Sequence, residues 1–190
     1  MILLVVLLLW LLEAVIFSAS GQLQRLRPPG PQLILVGLTT GILLLWWRNR
    51  RVRASVDQLD LPALVGLHLT RFVGLYFLYL CGKAELPREF AVPAGWGDTA
   101  IAVGAAISLL FWSSFGRDRR WLMIWNTLGL IDIVFVVATA ARLGMANPGA
   151  MAALLRLPLS LLPTFLVPLI IASHIVIFGL LRRRETGRRS

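Results

Sequence analysis

The chain has 190 residues, 58% hydrophobic and 15% charged, with a formal net charge of +10; soluble domains average about 45–50% and about 25% in those classes. No basic face with interleaved aromatics stands apart from the apolar blocks, which argues against a nucleic-acid partner and points to the lipid bilayer instead. The single cysteine, Cys81, excludes an intrachain disulfide, a thiolate zinc cluster and haem attachment through Cys-x-x-Cys-His.

The apolar residues come in six blocks, each near the roughly 20 residues of helix that cross a hydrocarbon core about 30 Å thick. The expected fold is therefore an all-α integral membrane bundle of six transmembrane helices forming a single domain over residues 1–190. The first helix is predicted over Ile2–Ala19. Ser18-Ala19-Ser20 looks like a signal-peptide cleavage site, but no basic stretch precedes the apolar run and Glu13 interrupts it, so a retained span is expected. The second runs over Gln32–Trp47, closed by Trp46-Trp47-Arg48, an interfacial anchor followed by charge. The third covers Leu61–Cys81, with Pro62 in its first turn.

A connection from Gly82 to Trp96 follows, carrying Lys83, Glu85, Arg88 and Glu89 and reading as a short surface turn. The fourth helix is predicted over Gly97–Phe115 and the fifth over Trp121–Ala141. The sixth, Pro158–Leu181, contains Pro158, Pro163 and Pro168 and is expected to be kinked.

All but one of the 19 basic residues are arginines. They cluster at Arg48, Arg50, Arg51 and Arg53, at Arg117, Arg119 and Arg120, and from Arg182 to Arg189. Positive charge is retained on the cytoplasmic side, so both termini are expected in the cytoplasm; Arg25 and Arg27 in the first loop are a mild exception.

Ionisable residues inside spans are costly and mark functional sites by default. At about 1.5 Å per residue, Arg71, Asp132 and Glu13 each lie roughly 15–16 Å from the cytoplasmic face. One cation and two carboxylates then share a layer. Arg71 with Asp132 is the preferred pair, and the remaining carboxylate is free for a proton or cation. A salt bridge that only sets helix register is the plainer alternative.

His68 and His174, the only histidines, fall roughly 10 Å from the same face, and Asn126 roughly 8 Å. Two histidines at one depth could be axial ligands of a b-type haem, or metal ligands with Asp132 as a third; the plainer reading is hydrogen bonding between helices. Asp98, opening the fourth helix, is expected to cap it, or to line an outer vestibule with Glu85 or Arg88.

No G-x-S-x-G, H-E-x-x-H, phosphate-binding loop or dinucleotide-binding glycine pattern is present, so an enzyme is not the expected class. Three segments, Leu86 to Asp98, Trp125 to Asp132 and Leu162 to Leu169, resemble those of a widespread group of small bacterial inner-membrane proteins usually described as hypothetical. The resemblance covers roughly Leu61 to Arg182. It implies a multi-span bacterial membrane protein and no particular activity. The leading functional expectation is a small-molecule binding or proton-coupled transport protein with an internal polar site formed by Arg71, Asp132, His68, Asn126 and His174. A haem protein and a non-catalytic accessory subunit are the alternatives.

Overall fold

A computed structural model describes residues 2–186, all of whose regular structure is helical. Helix α1 spans Ile2–Ala19, α2 is a short turn at Gln22–Arg25, and α3 covers Gly30–Arg48. Then α4, Arg50–Asp57, lies where a plain loop was expected. Asn49 caps it, its Oδ1 accepting from the backbone N–H of Arg51 at 2.9 Å and of Val52 at 3.2 Å. Arg53 reaches back to the Trp46 and Trp47 carbonyls, satisfying backbone acceptors left open at the end of α3.

The next span is continuous from Leu61 to Gly82 but not uniform. Helix α5, Leu61–Leu67, tightens into a 3₁₀ stretch at His68–Phe72 before α6 resumes over Val73–Gly82. Helix α7 covers Arg88–Leu110 and α8 covers Arg119–Ala146. A 3₁₀ segment at Pro148–Leu155 leads to a π-helical turn, Leu162–Leu166, that opens α9, Val167–Thr186.

Five of these spans are long and apolar enough to cross a membrane, not six: Gly30–Arg48, Leu61–Gly82, Arg88–Leu110, Arg119–Ala146 and Leu162–Arg183. The apolar stretch Leu3–Ala19 is shorter, about 26 Å of helix against a core about 30 Å thick. The helix expected from Gly97 to Phe115 instead runs from Arg88 to Leu110. Pro93 lies close to its start, and Ala94, Gly95 and Gly97 are packed positions on a helix rather than parts of a loop. The expected start at Pro158 moves to Leu162.

The wide turn at Leu162–Leu166 accommodates Pro163, which has no N–H to give. Carbonyls in this region find other donors, as a spanning helix interrupted by proline requires. Thr164 Oγ1 donates to the Ser160 carbonyl at 2.8 Å, and Trp10 Nε1 donates to the Thr164 carbonyl at 3.0 Å. The Trp10 ring meets Phe165 edge-on at 4.8 Å. Helix α1 thus docks where α9 is irregular, leaving Leu4, Leu8, Leu12 and Ile16 exposed. Ile124, Leu128, Ile131 and Phe135 form a similar outward apolar face on α8; a bilayer would cover such faces.

The interior is layered. One apolar core joins Leu64, Val65, Ile101, Ala105, Leu122, Trp125, Ile177 and Leu181. Another joins Phe77, Leu80, Phe90, Ala94, Val136, Met151 and Leu159. Polar residues from α5 through α9 lie between them in sequence position: His68 and Arg71, Asp98, Asn126 and Asp132, Ser173 and His174. Tryptophan N–H groups hold α7 and α8 together on one side of this layer. Trp125 donates to the Ile101 carbonyl at 3.0 Å and Trp121 to Ser108 Oγ at 2.7 Å.

Candidate functional site

Arg71 is the centre of the polar layer and is 1% exposed. Its Nε donates to Asp98 Oδ1 at 2.6 Å, Nη1 to the Gly129 carbonyl at 2.9 Å, and Nη2 to Asp132 Oδ2. The guanidinium is thus held by α7 and α8 at once, in the fork geometry suited to carboxylates. Asp98 is 3% exposed, and the Asp132 side chain 18%.

The expected capping role of Asp98 is incorrect. Because α7 begins at Arg88, Asp98 sits at its middle, opposite Arg71, rather than at an N-terminus. Glycines admit this approach. A Cβ on Gly97 would collide with the Asp132 carboxylate, and one on Gly74 would come within 2.5 Å of the Gly95 carbonyl oxygen. The α6 and α7 backbones therefore touch, bringing Arg71 and Asp98 together.

The 3₁₀ stretch His68–Phe72 has its own consequence: with three residues per turn, positions three apart eclipse one another. His68 and Arg71 consequently share one face. His68 is fully buried, and its Nε2 lies 3.1 Å from Ser173 Oγ. Ser173 donates its hydroxyl hydrogen to the Ile170 carbonyl at 2.7 Å, so it accepts from His68. His68 is then the Nε2–H tautomer, with a lone pair on Nδ1.

Asn126 fixes the other ring. Its Nδ2 donates to the His174 carbonyl at 3.0 Å, so its Oδ1 must accept from His174 Nδ1, 2.8 Å away. His174 carries its hydrogen on Nδ1 and a lone pair on Nε2. Both remaining ring nitrogens, His68 Nδ1 and His174 Nε2, are buried without a protein partner. The His174 ring packs over Gly129, where a Cβ would lie 2.6 Å from its Cε1.

The alternative of a haem site is not supported by this geometry. Axial ligation places iron between two nitrogens about 4 Å apart, with the ring bodies beyond them. Here the ring centres are 4.3 Å apart and tilted by 47°, in direct contact with no space for a porphyrin between them. Nor do His68, His174 and Asp132 gather as metal ligands: among the described residues no group of three or more His, Cys, Asp or Glu side chains is placed to hold a metal ion. Glu13 lies exposed on α1, apart from the cluster.

Sequence reasoning missed Ser173 and the packing glycines Gly74 and Gly97. The glycines had a signal, since Gly95 and Gly97 flank an apolar block, but Pro93 beside them read as a loop marker.

A cavity of about 760 Å³ opens beside the charged cluster, within the 300–1,000 Å³ typical of small-molecule sites. Helix α8 lines it from Ile133 to Gly144, about 16 Å of helix. Arg71 and Asp98 belong to its wall, as do Gln24, Gln32, Thr40 and Arg156, while most of the remaining lining is apolar.

The spans, the apolar outer faces and the charged interior are those of a multi-pass helical membrane protein. Residues 28–182 match the family described as Domain of unknown function (DUF8737), and the chain belongs to that family. No curated protein and no solved structure matches it.

Proposed function

We propose that the chain is a bacterial inner-membrane protein that binds a small molecule in the cavity between α3, α8 and α9, as a transporter or binding protein does, with Arg71 and Asp98 as the charged part of its wall and Asp132 behind them. The observation that carries this reading is the cavity itself. A subunit whose polar residues only locked helices together would have no use for an open space of about 760 Å³ reaching its charged centre, because close packing is the default of protein interiors. His174 packs over Gly129, whose carbonyl accepts from Arg71, and Asn126 holds the His174 ring. Accessibility tests the proposal. In a Cys81→Ser background, Ala141→Cys on the cavity wall is expected to react with a small membrane-permeant maleimide, whereas Ala105→Cys in the dry core stays unlabelled. Silence at Ala141 equal to that at Ala105 overturns the reading.

The proposed orientation places α4 and the 117–120 connection in the cytoplasm, following the arginine clusters. A reporter fused after Ser190 is expected to be active only in the cytoplasm, and one inserted before Arg88 only outside. The reverse pattern refutes the orientation, and a fusion before Met1 reads separately whether the short α1 crosses.

A further inference from the structure

We infer that the ligand of this cavity is an amphipathic cation: a protonated amine or quaternary onium group on an apolar body. The inference rests on the reading of the cavity as a binding site and follows from a charge count in the cluster beside it. Two carboxylates, Asp98 and Asp132, face one guanidinium. With both acids ionised, the cluster holds one negative charge in excess. Asp98 lines the cavity directly, and Phe77 and Phe90 also contribute to its wall; an aromatic face can receive a cation. In a low-dielectric interior an uncompensated charge acts far more strongly than in water, so the excess selects for a cation and against an anion.

The other charged and titratable groups nearby do not cancel this excess. Arg156 also lines the cavity but lies past the end of α8 and is exposed, where water and salt screen it. His68 and His174 are absent from the cavity wall, and their ring N–H groups are engaged by Ser173 and Asn126. Without ligand, a proton on Asp98 or Asp132 neutralises the cluster. Cation and proton then compete for the same charge: binding weakens as pH falls and releases up to one proton per cation bound.

Tetraphenylphosphonium and tetraphenylborate share a shape and differ in the sign of their charge. Calorimetric titration of each into the purified full chain in detergent at pH 8, referenced to the Asp98→Asn variant to cancel partition into micelles, separates charge from apolar fit. Tetraphenylphosphonium is expected to bind at least tenfold more tightly to the native chain than to Asp98→Asn, and tetraphenylborate is not. Asp132→Asn, which removes the same excess from a residue outside the cavity wall, should reproduce the loss if Asp98→Asn fails to fold. Equal binding of both ions with or without the carboxylates overturns the charge inference and leaves the cavity reading intact. If neither ion binds although Ala141→Cys is labelled, the inference again fails alone; if Ala141→Cys is also silent, the cavity reading fails with it.

Discussion

Replacing Arg71 with leucine is expected to destabilise the protein far more than neutralising either of its partners. The substitution leaves the buried Asp98 and the part-buried Asp132 with no cation, and breaking a buried charge pair in this way costs roughly 3–5 kcal/mol. Asp132→Asn is milder, because Arg71 keeps Asp98 at 2.6 Å and the Gly129 carbonyl at 2.9 Å, and the remaining pair is neutral. Asp98→Asn leaves an equally neutral pair with Asp132. Neutralising both acids strands a guanidinium that cannot release its proton, and should be about as harmful as losing Arg71. The triple variant Arg71→Leu, Asp98→Asn, Asp132→Asn should recover much of the loss, since removing every member of a buried charge set is often close to neutral. Thermal unfolding in detergent across these variants reads the pattern. If Arg71→Leu costs no more than Asp132→Asn, Arg71 is not the shared centre of the cluster.

The depth of each charge along its helix was readable in advance, and depth put Arg71 and Asp132 in one layer, where the structure joins them. Depth does not report which way a helix face points. Glu13 has the same calculated depth as Arg71, yet it is exposed on α1, whose contacts with the rest of the chain include Trp10 on Thr164 and Phe165. The histidines were likewise placed in one layer, but the direct contact of their rings depends on the 3₁₀ turn at His68 and on the space left by Gly129. Asp98 was misplaced for a related reason. Pro93, Gly95 and Gly97 break soluble helices, and by that rule they end in a loop. In a membrane bundle small residues serve close packing, and a proline near a helix start is tolerated. A charged residue just after glycines in an apolar block was therefore at mid-helix. The number of spans failed for a simpler reason: the first block is apolar enough but short.

The contact between α6 and α7 carries the other large effect. Gly74→Ala is expected to destabilise the bundle strongly, although alanine is the better helix former by about 1 kcal/mol. The added methyl would meet the Gly95 carbonyl oxygen at 2.5 Å, Asp98 Cβ at 2.9 Å and Thr99 Oγ1 at 3.0 Å. The closest of these is backbone, which cannot swing aside as a flexible side chain does. Overpacking typically costs 1–3 kcal/mol, and a contact against a helix backbone belongs at the upper end. Relief requires α6 and α7 to separate, which draws Asp98 away from Arg71. Gly37→Ala on α3 is the control, because nothing lies within 4 Å of a Cβ there; it should be neutral or slightly stabilising. Combining Gly74→Ala with the triple neutral cluster then separates two sources of damage. If the methyl acts partly by pulling the charge pair apart, its cost falls when no charges remain to be separated, as a double-mutant cycle would read. An unchanged cost in that background assigns the whole effect to steric overlap. A Gly74→Ala protein that unfolds at the native temperature means that the two helices do not touch here.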